Sequence, residues 1–168
     1  GPQVGFLQLQ EKALHHKIPE MPLHVDTAMT QGQIGFMLQQ ALTHTTGKQV
    51  ASIVTRVQVN PKDTAFQKPS KPIGPCYKKK PSKAHGTFAF IPGKGYRKIV
   101  ASPQPKKIIE LPAIKTLLQR ERVLVCCGGG GIPVARKGKK WNGMEAVIDK
   151  DLASGTLASA LHAHTLVI

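Results

Sequence analysis

The sequence contains few acidic residues, few aromatic residues and few cysteines. Only 9 of its 168 residues are Asp or Glu, whereas 24 are Lys or Arg, so the formal net charge is +15. Aromatic residues make up 5% of the chain, which argues against a stacking platform for nucleic acid. The three cysteines are an odd number, and no Cys/His spacing indicates zinc, so we expect reduced thiols and no metal-ligating side chains.

Long apolar runs and a signal sequence are also missing. The longest apolar runs are too short to cross a bilayer, so we predict no membrane partner. The N-terminus has neither a basic start nor an apolar stretch, which favours a cytoplasmic location. The first residue is not Met, and residues 164–168 have the composition of a strand that stops at the last residue. We therefore expect a globular domain that is incomplete at both ends.

Residues 60–105 differ in composition from the rest of the chain. They are rich in Pro, Gly and Lys, and the segment from Lys62 to Lys107 holds 12 Lys or Arg but one acid, Asp63. Short β signals occur at 87–90 and 96–100, so we predict a protruding β-rich subdomain outside the main sheet. Such a basic block indicates either a nucleic-acid surface, a solvated lobe or a site for anionic substrates. The low aromatic content makes nucleic acid the less favoured partner.

The rest of the chain alternates between helical and extended patterns. Apolar spacing predicts four helices. Three of them lie at 4–15, 106–120 and 152–161, and the second in chain order is capped by Asp26 or Thr27 and ends near Leu42. β-branched or apolar runs predict strands at 49–59, 123–127 and 165–168, which we expect in one sheet, with a polar hairpin at 136–140. This alternation favours a mainly parallel sheet with helices on both faces.

The segment with the clearest chemical meaning begins at the strand Val123–Cys127. Four glycines, Gly128 to Gly131, follow at once, and 18 residues later comes Asp149-Lys150-Asp151 at the start of an apolar-periodic helix. Consecutive glycines let backbone N–H groups turn toward an anion, and a lysine between two carboxylates is a fixed charge. The pattern predicts a phosphate-handling α/β domain. The loop matches neither a P-loop nor G-x-G-x-x-G, so a plain tight turn stays an alternative.

Seven segments in a fixed order resemble carbamate kinases, over essentially all 168 residues. They are GPQVG at 1–5, AMTQGQIG at 28–35, NPKDTAF at 60–66, PSKPIGP at 69–75, GKGYR at 93–97, GGGGIP at 128–133 and EAVIDKDLA at 145–153. The PSKPIGP and EAVIDKDLA segments are specific to this family among amino-acid kinases. They disfavour a sibling amino-acid kinase.

The resemblance implies a fold and a reaction. The fold is a three-layer αβα sandwich of the amino-acid kinase type with a small protruding subdomain, of which residues 1–168 form a partial domain. The enzyme is a homodimeric phosphotransferase that moves phosphate between ATP and carbamate, usually from carbamoyl phosphate to ADP in the arginine deiminase pathway. ATP or ADP with Mg²⁺ and carbamate or carbamoyl phosphate are the implied ligands.

The same resemblance implies the roles of individual residues. Phosphoryl transfer needs placed positive charge, so Lys150 would neutralise the transferring oxygens, Asp151 would orient the lysines and Lys71 would hold carbamoyl phosphate. The substrate would also accept hydrogen bonds from the backbone N–H groups of Gly128, Gly129, Gly130 and Gly131. Gly1 and Pro2 would be the tail of a second glycine loop. For Arg97, an anion ligand and a surface charge stay equal alternatives.

Several features depart from the family pattern. Asp26 stands where a small residue or cysteine is common, and the family's first Gly-Gly-Asn loop and a C-terminal catalytic lysine have no counterpart in the chain. We therefore expect the 168 residues alone to be inactive. The alternative function is a catalytically inactive truncation whose basic lobe binds polyanions.

Overall fold

The computed structural model describes residues 2–14, 17, 21–81, 86–120 and 123–167, with only the backbone at Pro2, Gln3, Phe6 and Lys12. The predicted site residue Gly1 and the predicted strand end at Ile168 lie outside this range. The helices and strands, in chain order, are α1 Pro2–Ala13, α2 Leu23–Thr46, β1 Val50–Ile53, β2 Arg56–Gln58, β3 Lys71–Tyr77, β4 Thr87–Ile91, β5 Gly95–Val100, β6 Lys107–Ile108, α3 Leu111–Leu118, β7 Val123–Cys126, β8 Ile132–Lys137, β9 Lys140–Gly143 and α4 Lys150–Leu161.

The described strands pair in three groups. β1 pairs in parallel with β7, and a second group has the order β6-β2-β8-β9, in which only β2 and β8 are parallel. The third group, β3-β5-β4, is antiparallel throughout. The expectation that 49–59, 123–127 and 165–168 share one mainly parallel sheet was wrong. The first segment divides between two groups, and residues 165–167 form no strand.

The division of the predicted 49–59 strand has a local cause at Thr55. The side-chain amide of Gln31, in α2, donates to the Thr55 carbonyl at 2.8 Å and accepts from the Thr55 N–H at 2.8 Å. The Thr55 hydroxyl donates to the carbonyl of Ile53 and accepts from the N–H of Cys127 at 3.0 Å. Together with the bond that the N–H of Ile132 in β8 donates to the Thr55 carbonyl at 2.9 Å, these bonds satisfy the backbone groups between the two strands, so the chain can turn from β1 into β2.

Adjacent residues of β1 show that helices cover both faces of the sheet. Side chains of successive strand residues point to opposite faces. The Ser52 hydroxyl donates to the Gly35 carbonyl of α2, whereas Ile53 packs against the main apolar cluster. That cluster is drawn from β2, β6, α3, the loop after β7 and α4, and its buried members are Val57, Val59, Ile108, Ile114, Cys127, Ile148 and Ala153. The described residues therefore form three layers, in which the sheet lies between α2 on one face and α3 with α4 on the other.

Two helix starts differ from the sequence predictions. The helix expected at 106–120 begins at Leu111, because Pro112 fits only in the first turn of a helix, and Ile108 pairs with Val57 in β6 instead. The cap expected at Asp26 or Thr27 was also wrong. α2 begins at Leu23, whose N–H donates to both oxygens of the Glu145 carboxylate at 3.2 Å. A carboxylate from a distant segment thus replaces the local cap.

The β3-β5-β4 sheet is attached to the rest of the molecule through α1. A Cβ added to Gly5 would lie 2.0 Å from the Cα of Gly74, so α1 approaches β3 more closely than any other residue type would allow. A second apolar cluster fills this junction, with buried members Val4, Leu23, Ile73, Val100 and Val147. Among the described helices, none combines the length and the apolar character that a bilayer crossing needs.

Candidate functional site

A solvent-open cleft lies where α2, β3, the glycine loop and the start of α4 meet. Its volume is about 440 Å³, which is within the usual range for small-molecule sites. The described residues that line it are Val4, Thr27, Thr30, Ile34, Lys71, Gly128, Gly129, Val147, Ile148 and Lys150. Apolar walls therefore surround two lysines and two glycines, which is an arrangement suited to an anion with an apolar or planar part.

The four glycines of the loop after β7 divide into two functional pairs. Gly128 and Gly129 line the cleft, and Gly129 has a φ of 72°. Gly130 has a φ of 123°, and a Cβ there would lie 2.1 Å from the Ile148 carbonyl oxygen. At Gly131 a Cβ would lie 2.3 Å from the side chain of Val57. Gly130 and Gly131 are thus required for packing, whereas Gly128 and Gly129 present the loop to the cleft.

Lys71 is held at the cleft by Asp149. Its ammonium group donates to Asp149 Oδ2, although 78 residues separate the two in sequence. The other oxygen of Asp149 caps α4, accepting from the N–H of Asp151 at 2.9 Å and of Leu152 at 3.4 Å. The bond from Lys71 is the main reason that the pKa of Asp149 lies below its ordinary value, and the cap bonds add to it. Asp149 is therefore a carboxylate that fixes a lysine and a helix start together.

Asp149 was not among the predicted site residues. Its position directly before an apolar-periodic helix was the signal that could have identified it as a cap. The pairing with Lys71 had no local signal, because β3 and α4 meet only in the folded chain.

Lys150 is the first residue of α4, and its exposed side chain reaches the cleft. Its ammonium group donates to Asp151 Oδ1, and this bond raises the pKa of Lys150 above its ordinary value. The N-terminus of α4 adds the positive end of the helix dipole beside the lysine. Two ammonium groups, each paired with a carboxylate, therefore border one cleft together with the glycine loop.

The structure does not bring every predicted site residue into the cleft. Arg97 donates through Nε and Nη2 to the Gly74 carbonyl, at 3.1 and 2.7 Å, and so ties β5 to the irregular part of β3. It is absent from the described lining of the cleft. Pro2 is the first residue of α1, and Val4, two residues further along this helix, lines the cleft.

The described residues offer limited ligands for a divalent cation. No group of three or more His, Cys, Asp or Glu side chains gathers in the part of the chain that the structure describes. Asp149 and Asp151 are the carboxylates at the start of α4, and each already binds a lysine. Because Mg²⁺ usually takes one or two carboxylates together with substrate phosphates, it would fit here mainly through a phosphate ligand.

A buried acid lies next to the cleft, inside the first turns of α2. Asp26 is fully buried, and neither of its carboxyl oxygens has a hydrogen-bond partner among the described residues. Burial, with a further contribution from the nearby Glu11 carboxyl, raises the pKa of Asp26 to about 7. The sequence indicated Asp26 as a candidate helix cap and as a departure from the family pattern, but not as a buried acid, because its raised pKa follows from the packing of α1 on α2.

Comparisons with known proteins show to which enzymes this chain is related. No protein-family model matches the chain. Carbamate kinase 2 of Enterococcus faecalis is 45% identical over 179 residues, and carbamate kinase 2 of Staphylococcus aureus (strain bovine RF122 / ET3-1) is 42% identical over 180; both alignments include 100% of this chain. The chain is a homologue of the carbamate kinases. The resemblance inferred from the seven sequence segments is confirmed.

Solved carbamate kinase structures confirm the fold class. The Giardia lamblia enzyme bound to citric acid matches with a TM-score of 0.88 and 40% identity, over 96% of this chain and 56% of that one. The same enzyme bound to AMP-PNP matches with a TM-score of 0.82 and 41% identity, over 96% and 54%. This carbamate kinase homologue therefore has the α/β fold of those enzymes. It spans 57% and 58% of the two curated relatives.

Proposed function

We propose that this chain carries part of a carbamate kinase active site, which transfers a phosphoryl group reversibly between ATP and carbamate. The observation that carries the proposal is the cleft in which Lys71 and Lys150, each bound to a carboxylate, lie with Gly128 and Gly129. Homology to carbamate kinases over the whole chain supports the choice of substrate class.

Charge placement explains how such a cleft would promote phosphoryl transfer. In a loose transition state, negative charge spreads over the oxygens of the transferring group, and catalysis depends on positioning and electrostatic stabilisation. Lys150 would neutralise those oxygens, and Lys71 would hold the carbamoyl phosphate end. Asp149 and Asp151 would keep both ammonium groups in place, so little reorganisation would be needed during the reaction.

The nucleotide would approach along the glycine loop. Gly128 and Gly129 would offer backbone N–H groups to phosphate oxygens, and a related Giardia structure that contains AMP-PNP supports an adenine nucleotide as the ligand. Mg²⁺ would accompany the nucleotide phosphates and supply charge neutralisation there, since the nearby carboxylates already bind lysines.

We further propose that the whole protein acts as a homodimer in the cytoplasm, in the arginine deiminase pathway. The supporting feature for dimerisation is the apolar surface of α2, where Met29, Phe36 and Met37 are 51%, 63% and 62% exposed. Sedimentation of the natural polypeptide checks the assembly. Loss of the dimer on changing both Phe36→Ser and Met37→Ser is the expected result, and an unchanged dimer would contradict it.

The reaction is tested by measuring ATP formation from ADP and carbamoyl phosphate. We expect the natural polypeptide that carries these residues to form ATP with carbamoyl phosphate but not with acetyl phosphate or an acylated amino-acid phosphate. The 168-residue piece alone should be inactive, because it spans only 57% of the Enterococcus relative. If the natural polypeptide preferred another acyl phosphate, the proposed function would be wrong, and the protein would be a different amino-acid kinase.

A further inference from the structure

Half of the aromatic residues lie on one face of the β3-β5-β4 sheet. The chain has five Phe, two Tyr and one Trp, and four of these eight residues are Tyr77, Phe88, Phe90 and Tyr96. Tyr96 lies opposite both Tyr77 of β3 and Phe90 of β4, so all three side chains share a face. Phe88 joins that face because it is two residues from Phe90.

The aromatic rings form two edge-to-face pairs. The centroids of Phe90 and Tyr96 are 5.3 Å apart, and those of Tyr77 and Phe88 are 6.0 Å apart. α1 covers the Tyr77–Phe88 pair, leaving a cavity of about 70 Å³ that is too small for a nucleotide. The Phe90–Tyr96 pair lies beyond this cover, and Phe90 is 60% exposed. An exposed ring of this size is a stacking surface.

Lysines surround the same end of the sheet. Lys78, Lys79 and Lys80 follow the last residue of β3, and Lys94 lies in the turn between β4 and β5. All four are exposed, and within the described ranges none of them forms an ion pair. The sequence has no acid at all from residue 64 to residue 109. The lysines therefore place positive charge at the same end of the sheet as the exposed Phe90 ring.

We propose that the Phe90–Tyr96 pair and its surrounding lysines form a binding surface for single-stranded nucleic acid. Unpaired bases would stack on Phe90, and the backbone phosphates would contact Lys78, Lys79, Lys80 and Lys94. Stacking on aromatic rings combined with a positive track is the arrangement that binds single strands without sequence preference. The low overall aromatic content argued against this partner, but the structure concentrates the few rings beside the positive charge.

Rings and lysines together favour a single strand over other polyanions. A duplex would use the lysines alone, because its bases are already stacked on one another. The headgroups of an anionic membrane would contact the lysines, and the lipid would bury Phe90, but the edge-to-face contact with Tyr96 would have no role in that binding. The surface is separate from the cleft, so the proposal does not depend on carbamate kinase activity.

The test is fluorescence anisotropy of a labelled oligothymidylate of about 15 nucleotides, titrated with the 168-residue protein. Lys78→Gln/Lys79→Gln/Lys80→Gln removes three charges beside the rings, and Lys137→Gln/Lys139→Gln/Lys140→Gln removes three from the exposed β8–β9 hairpin. We expect the first triple to weaken binding at least about 10-fold and to lower the salt slope by about 2, and the second to have less than about a 3-fold effect.

The stacking part has its own matched pair of variants. Phe90 and Val54 are 60% and 55% exposed, so replacing either with Ala leaves the core intact. Phe90→Ala should weaken oligothymidylate binding about 5- to 100-fold, Val54→Ala should leave it unchanged, and Phe90→Trp should retain it. Thermal melts of each variant check that the fold is preserved.

Four results would overturn the proposal. The first is equal loss of affinity in the two lysine triples, and the second is equal affinity for duplex and single strand. The third is unchanged binding by Phe90→Ala. The fourth is binding to vesicles of phosphatidylserine and phosphatidylcholine with no binding to the oligonucleotide.

Discussion

The cleft and the outer end of the β3-β5-β4 sheet both depend on lysine, but they hold their lysines differently. In the cleft, Lys71 and Lys150 each donate to a carboxylate at the start of α4. Around Phe90 and Tyr96, lysines 78–80 and 94 are exposed and form no ion pair within the described part of the chain. Positive charge is therefore paired with carboxylates at defined points in one region and spread over a surface in the other.

This difference teaches what each region can recognise. Fixed ammonium groups suit one phosphoryl group whose oxygens have defined positions, as phosphoryl transfer requires. Spread lysines suit a repeating polyanion, for which the number of contacts counts more than their exact geometry. The same contrast predicts that replacing a single lysine should be costly for function in the first region and mild in the second.

The largest expected effect on stability is at the glycine loop. Gly130 and Gly93 both have positive φ values, 123° and 73°, but a Cβ added to Gly130 would lie 2.1 Å from a carbonyl oxygen, whereas open space surrounds Gly93. Gly130→Ala should lower the free energy of unfolding by at least about 3 kcal/mol, because backbone strain and a steric clash add together. Gly93→Ala should cost about 1 kcal/mol. Urea denaturation measures both.

Equal costs for the two glycine variants would show that the loop against Ile148 is not tightly packed. The cleft would then tolerate substitution as well as the outer end of the β3-β5-β4 sheet does.

A second prediction concerns Asp26, beside the cleft. Its pKa of about 7 exceeds the ordinary value of 3.8, so the folded protein binds an extra proton between these pH values. The stability that is present below about pH 4 should therefore be lost progressively as the pH rises through about 7. Asp26→Asn should remove most of this loss, as measured by denaturation from about pH 4 to pH 8.

Asp63 is the matched control for Asp26, because its pKa is shifted in the opposite direction. Hydrogen bonds from the N–H groups of Ala65 and Gln104 lower the pKa of Asp63, so its contribution is lost as the pH falls. A pH profile that is the same in Asp26→Asn as in the unchanged protein would contradict the protonated, buried state of Asp26.

The smallest expected effect compares a paired with an unpaired lysine. Lys71 is partly exposed and bound to Asp149, so Lys71→Gln should cost about 0.5–1 kcal/mol of stability. Lys79→Gln should cost nothing or should stabilise slightly, because it relieves repulsion among neighbouring lysines. Thermal melts at low and high salt measure both. Identical shifts would mean that the Lys71–Asp149 pair does not distinguish the two regions.

Local patterns in the sequence predicted much of the fold. The glycine loop after an apolar strand, the two β signals at 87–90 and 96–100, and the helix at 152–161 all depend on residues close together in the chain, and β7, β4, β5 and α4 are found there. The late start of α3 could also have been predicted from Pro112, which is excluded from a helix interior.

Features that depend on distant residues could not be predicted in this way. The break between β1 and β2 needs the amide of Gln31, and the start of α2 needs the carboxylate of Glu145. In the site, Lys71 and Lys150 were predicted from the family resemblance, but Asp149 acquires its role only when β3 meets α4. Likewise, four aromatic residues on one sheet face follow from strand register, which composition does not contain.

Steady-state kinetics of ATP formation by the natural polypeptide distinguish a role of Lys150 in the transition state from a role in nucleotide binding. Lys150→Ala should lower kcat about 10²- to 10³-fold, as removal of one preorganised donor does, with little change in KM for ADP. Lys94→Ala, which removes an equal charge from the β4–β5 turn, should leave both constants unchanged. A similar kcat for the two variants, or a change confined to KM, would show that Lys150 does not stabilise the transition state of phosphoryl transfer.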